Sequence, residues 1–237
     1  MHRATVTLDT ADGPMACFEA RPEHEARAGV VVVQEAFGVN DHIRDVTGRF
    51  ARAGYHALAP DLFHREAAEP LAYDDLEEAL ALVRTLTDDG ILADLDAAFA
   101  HLHQAGFGFD RIGTVGFCMG GRVTFLAAAR RAIGAAVGFY GGGIVTARVP
   151  NLPPLVGEAA HLRAPWLGLF GDLDASIPVE DVEALRAALE AAPLPHEVVR
   201  YPNAGHGFHC DARASFQPEA AADAWTRTLD WLERHLG

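Results

Sequence analysis

Cysteine is scarce in this chain: Cys17, Cys118 and Cys210 are the only three in 237 residues. So few exclude a disulfide framework and make a reducing cytoplasm the expected setting. Positive charge is short as well. Nineteen Lys and Arg stand against 33 Asp and Glu, a formal net charge of −14. Nothing gathers those cations into a phosphate-binding stripe, so a nucleic-acid partner is not expected. Half of the residues are hydrophobic, yet no charge-free run reaches the roughly 20 residues that span a bilayer, and no membrane partner is expected. Met1-His2-Arg3 leads into alternating residues and not into an apolar leader, so a signal peptide is not expected either. No repeat, low-complexity tract or linker breaks the chain, which reads as one α/β domain over residues 1–237.

What the chain does have is a regular alternation of strand and helix patterns. Residues 4–9 alternate, and 15–20 follow the turn residues Asp12-Gly13-Pro14, as in a hairpin at a sheet edge. Residues 29–34, GVVVVQ, form the β-branched run of a strand buried on both faces of a parallel sheet. A loop over 35–39 leads to Asn40 or Asp41 as the cap of a helix over about 42–53, ended by Gly54. A short strand over 55–59 stops at Pro60-Asp61. Residues 64–75 are polar and irregular and read as an excursion over one end of the sheet. Helical periodicity covers 76–87 and 91–104, and later 179–191 and 219–236. Further strands are expected at 112–117, 134–139, 166–170 and 196–201. The alternation predicts a mostly parallel sheet with helices on both faces, and ligands bind such sheets beyond the carboxyl ends of the strands.

The centre of the pattern is residues 111–129, RIGTVGFCMGGRVTFLAAA. An apolar strand turns sharply through Gly116-Phe117-Cys118-Met119-Gly120 into a helix, the context of a nucleophile elbow with Cys in place of Ser. The helix N-terminus beneath the thiol favours thiolate and any oxyanion beside it. Taken alone, the pentapeptide also fits a buried cysteine in a tight turn.

Other strand ends narrow the choice. Glu35 follows the run ending at Gln34, Gly171-Asp172-Leu173-Asp174 follows the strand ending at Phe170, and Ala204-Gly205-His206-Gly207-Phe208 follows the last strand. Nucleophile, acid and His thus come in the chain order of an α/β-hydrolase. His206 is the candidate general base, and an exposed loop histidine is the plainer alternative. Asp174 and Asp172 both qualify as the acid. Asp174 has the G-x-x-D-x-x-x-P spacing to Pro178, and Asp172 reads as a turn former. Glu35 is either a solvated loop carboxylate or a buried one paired with the thiol or the His, able to take the thiol proton. The backbone N–H groups of Ala36 and Met119 are placed for an oxyanion hole. The histidines show no ligand spacing beyond His206 and His209, so no metal and no cofactor is expected.

The motifs Gln34-Glu35-Ala36-Phe37-Gly38-Val39-Asn40, Ala59-Pro60-Asp61-Leu62-Phe63, Gly116-Phe117-Cys118-Met119-Gly120-Gly121, Asp174-Ala175-Ser176-Ile177-Pro178 and Ala204-Gly205-His206-Gly207-Phe208 together resemble the dienelactone hydrolase family. The resemblance covers nearly the whole chain. It implies an α/β-hydrolase fold, a triad of Cys118, His206 and Asp174, and an assisting Glu35. It also implies cleavage of small esters or lactones, typically the enol-lactone 4-carboxymethylenebut-2-en-4-olide. Phe37, Tyr140, Gly207 and Cys210 fall where that family has its substrate pocket, although Tyr140 is equally readable as a core tyrosine. The chain departs from the family where the substrate carboxylate is read. Cys210 stands four residues after His206, where the family has an arginine, and residues 73–83 contain no arginine. Arg84 is the nearest, in an unsuitable register, so the pocket is expected to lack a guanidinium partner for an anionic substrate.

The expected chemistry is attack by the Cys118 thiolate, a thioester acyl-enzyme, and hydrolysis by water activated at His206. Activated leaving groups, enolate or aryl oxide, should react better than plain alkyl esters. A second reading treats Cys118 as a redox-responsive thiol, with Cys210 as partner, in a ligand-binding relative with little turnover. The expected partner is a small-molecule ester or lactone. The oligomeric state is not readable from the sequence.

Overall fold

The computed structural model describes residues 1–237. Its sheet has eight strands: β1 (His2–Thr10), β2 (Gly13–Arg21), β3 (Ala28–Val33), β4 (Tyr55–Pro60), β5 (Ile112–Phe117), β6 (Ala135–Phe139), β7 (Trp166–Gly171) and β8 (His196–Tyr201). They lie in the order β1-β2-β4-β3-β5-β6-β7-β8. The first two form the expected antiparallel hairpin, which joins β4 antiparallel, and every pairing from β4 to β8 is parallel. Every residue of β3 through β7 is buried. Continuous apolar runs are thus strands covered on both faces.

Six α-helices supply the cover: α1 (Asp41–Arg52), α2 (Leu76–Val83), α3 (Asp88–Gln104), α4 (Met119–Arg130), α5 (Val179–Leu189) and α6 (Pro218–Leu236). Small residues in the strands set how close they come. Gly29 lies beneath Leu102 of α3, and Gly113, on the opposite face, lies beneath Leu232 and Leu236 of α6. On that second face α1 and α6 meet through Phe50 and Trp225, ring centroids 4.7 Å apart. Seventy buried residues form one continuous apolar cluster.

Helix caps follow the sequence signals. The Asn40 side chain accepts from the Ile43 N–H at the start of α1, as an N-cap asparagine does. The helix expected over 76–87 is shorter, ending at Val83. Thr87 is extended and its hydroxyl accepts from the Gly90 N–H, so it caps α3, which begins three residues earlier than the periodicity suggested. A residue cannot cap one helix while continuing another. The irregular excursion contains a single 3-10 turn, His64–Glu66, tied to α3 by the Arg65–Asp94 ion pair. The loop after β6 likewise holds a 3-10 turn, Val156–His161.

Candidate active site

Cys118 follows the last residue of β5 directly and is the N-cap of α4, with φ 55° and ψ −115°. A non-glycine residue there is strained and persists only where its surroundings hold it. Here the surroundings are backbone. A Cβ on Gly116 would meet the Gly120 carbonyl oxygen at 2.1 Å, and one on Gly120 would meet the Val33 carbonyl oxygen at 2.4 Å. The elbow therefore closes only with glycine at both positions, which lets α4 start hard against β3 and β5. The thiol is partly exposed at the helix N-terminus. The N–H groups of Ala36 and Met119 donate to no carbonyl or side chain of the protein.

His206 reaches the same place from the loop after β8. Its Nδ1 lies 2.6 Å from Asp174 Oδ2. Asp174 is buried, and its other oxygen accepts from the Ser176 N–H at 2.8 Å and the Ser176 hydroxyl at 2.6 Å. Asp172 points elsewhere, into a two-pronged ion pair with Arg200 at 2.7 and 2.8 Å. Burial pushes the Asp174 carboxyl up, but the hydrogen bond and charge of His206 and the two Ser176 hydrogen bonds together outweigh that and hold it below the usual value. Burial pulls His206 down. The charge of the neighbouring Cys118 sulfur and the Asp174 hydrogen bond outweigh it, raising the imidazole to about 10. The imidazole is thus held charged between the Asp174 carboxylate and the Cys118 sulfur.

Glu35 is fully buried, not a solvated loop carboxylate. Its Oε2 accepts from the Tyr73 hydroxyl at 2.9 Å, and its Oε1 accepts from Arg213 Nη1 at 3.3 Å. Both partners escaped the sequence reading. Tyr73 sits in the irregular excursion, and Arg213 in the turns after His206; neither region has a periodicity that would aim a side chain. The expectation that the pocket lacks a guanidinium is corrected: Arg213 fills that place from three residues beyond Cys210. Its guanidinium stacks over Tyr73 at 5.1 Å and Phe37 at 5.9 Å, and those rings meet edge to face at 4.9 Å. Gly207, at φ 76°, makes room, since a Cβ there would lie 2.8 Å from Arg213 Nη1. Burial lowers the Arg213 guanidinium's affinity for its proton, but Glu35, Cys118, Tyr140 and Tyr73 together more than restore it.

Cys210 is buried and its thiol donates to the Tyr73 hydroxyl at 3.2 Å. Burial raises it, so it is a poor thiolate. Tyr140 is fully buried with φ 39°, its ring 5.1 Å from the His206 ring and its hydroxyl without a partner in the protein. The structure thus gathers Cys118, His206, Asp174, Glu35, Phe37, Tyr140, Gly207 and Cys210 at the carboxyl end of the sheet, and adds Tyr73, Ser176 and Arg213. A thiol, a charged imidazole, free amides and a partly exposed cation together suit attack on an activated carbonyl.

Known proteins share this architecture. The model of the dienelactone hydrolase family matches residues 15–236. A protein of Escherichia coli (strain K12) named "Putative carboxymethylenebutenolidase" is 42% identical over 229 residues, covering 94% of this chain and 83% of the relative. A Bradyrhizobium protein named "Probable 2-oxo-3-(5-oxofuran-2-ylidene)propanoate lactonase" is 36% identical over 235 residues, 98% of this chain and 94% of the relative. The crystal structure of a "Putative Dienelactone Hydrolase" from Klebsiella pneumoniae superposes with a TM-score of 0.92 at 40% identity, covering 98% of both chains.

Proposed function

The chain belongs to the dienelactone hydrolase family, with its α/β-hydrolase fold and its lactone or ester hydrolysis, and from that premise we propose that it is a cysteine hydrolase of small activated lactones that carry a carboxylate. The observation behind this reading is the convergence of Cys118, His206 and Asp174 from three strand ends, with the His206 imidazole raised to about 10 between sulfur and carboxylate. Cys118 Sγ attacks the carbonyl carbon, and the carbonyl electron pair moves onto oxygen between the Ala36 and Met119 N–H groups. The carbon–oxygen bond of the ring breaks, and the leaving enolate takes its proton from His206. A water then gives a proton to His206 and its oxygen to the thioester, releasing acid and thiolate. Asp174 fixes the tautomer and balances the imidazolium. Glu35 is the reserve base for the thiol proton whenever the sulfur is protonated.

Substrate charge is read from Arg213. Only one of its five donors is used, on Glu35, and the guanidinium is partly exposed at the site. A substrate carboxylate fits the remaining fork. The Bradyrhizobium relative's name denotes a lactone of this kind, an oxofuranylidene ring bearing a propanoate.

Burst kinetics with p-nitrophenyl acetate and mass spectrometry of the quenched protein test the nucleophile. We expect a burst and an acetyl group on Cys118, with turnover in Cys118→Ala lower by at least about 10³-fold. Full turnover in Cys118→Ala would sink the proposal.

A further inference from the structure

The opposite end of the sheet carries a second polar cluster that the hydrolysis does not use. Glu19 of β2 and His56 of β4 are both buried. Their strands pair so that Glu19 faces Leu58 and lies one diagonal step from His56 on the same side of the sheet. His101 comes down from α3, which covers that side. His56 Nε2 lies 2.8 Å, and His101 Nε2 3.2 Å, from the same oxygen of Glu19, Oε1. Arg21 Nε lies 3.3 Å from the other oxygen. One oxygen and two ring nitrogens thus sit within 4.8 Å of one another.

We infer that Glu19, His56 and His101 bind one divalent transition-metal ion of the zinc type, at a site separate from the catalytic centre. Two imidazoles and one carboxylate are a donor set that zinc takes, and magnesium and calcium prefer oxygen alone. Bonds of 2.0–2.1 Å in a tetrahedron place ligand atoms about 3.4 Å apart. The His101 contact is already close to that spacing, and the His56 contact must open by about half an ångström. With Nε2 of each ring facing Oε1, binding requires the tautomer that carries its proton on Nδ1, so that Nε2 can donate its lone pair. A cleft of about 580 Å³, lined by His56 with His2, His24, Arg21 and Arg111, reaches the cluster at His56 and gives the ion an entry path. His56 is the second residue of β4 and Cys118 follows the end of β5, so the two sites occupy opposite ends of parallel strands.

Zinc titration of chelator-treated protein by calorimetry, with cobalt absorption spectra alongside, tests the site. We expect one ion per chain, visible cobalt d–d bands without a thiolate charge-transfer band, and a zinc-dependent rise in melting temperature. His101→Ala should weaken zinc by at least about 100-fold and abolish that rise, while its metal-free melt matches wild type because the side chain is only partly buried. Three results would overturn the inference: no stoichiometric binding, wild-type affinity in His101→Ala, or a cobalt spectrum dominated by thiolate charge transfer, which would put the ion on a cysteine.

Discussion

On the proposed function, substrate choice turns on Arg213. It pairs with the fully buried Glu35 carboxylate and lies over the Phe37 and Tyr73 rings. A hydrogen bond to a charged group contributes about 1.5–3 kcal/mol, so Arg213→Met should raise KM for a carboxylate-bearing lactone by about 10- to 100-fold. KM for neutral p-nitrophenyl acetate should stay where it is, since that ester has nothing for the guanidinium to hold. Equal increases for both substrates would show that Arg213 acts only by positioning Glu35. The sequence could announce Cys118, Glu35, Asp174 and His206, because each follows a strand whose apolar run marks its end. It could not announce Arg213 or Tyr73. Their approach depends on the path of irregular backbone, and a Gly207 of positive φ beside the guanidinium is visible only once that path is known.

At the scale of the element, α4 and its elbow behave as one rigid piece. Gly120 has no room for a side chain, because the Val33 and Gln34 carbonyl oxygens lie 2.4 and 2.6 Å from where a Cβ would stand. Backbone cannot swing aside as a side-chain tip can. Gly120→Ala should therefore cost about 1–3 kcal/mol, lowering Tm by about 2–4 °C for each kcal/mol, and should cut esterase turnover by shifting the Met119 amide away from Ala36. Gly157→Ala, with nothing within 4 Å of its Cβ, is the control and should leave the thermal melt unchanged. A melt of Gly120→Ala equal to that control would show that the elbow has slack. Strand positions were legible because β3 and β5 must be apolar on both faces. The end of α2 was not, since Thr87 fits the periodicity before it and the cap after it, and the hydroxyl's bond to Gly90 decides between them.

At the scale of the molecule, the parallel topology sends the chemistry to one end of the sheet and leaves its supporting face to α1 and α6. Between that face and the elbow lies His209, stacked on Phe117 at 5.2 Å and on Trp225 at 6.0 Å, with His42 at 5.9 Å. Burial pulls its imidazole down to about 3, and the neighbouring His42 adds to that. The folded protein thus keeps His209 neutral where the unfolded chain, near the ordinary value of about 6.5, binds a proton. Stability is whole above pH 6.5 and falls as pH drops from there toward 3, by about 1.4 kcal/mol per pH unit from this residue. At pH 5 the loss is about 2 kcal/mol by the same relation. His209→Phe keeps an aromatic ring among Phe117, Phe139 and Trp225 and has no proton to gain. Urea unfolding of the two proteins at pH 7 and pH 5 should show the variant losing about 2 kcal/mol less than wild type on acidification. Equal losses would mean that His209 titrates alike in both states, and that acid lability of the fold resides in His42, His56 and the carboxylates instead.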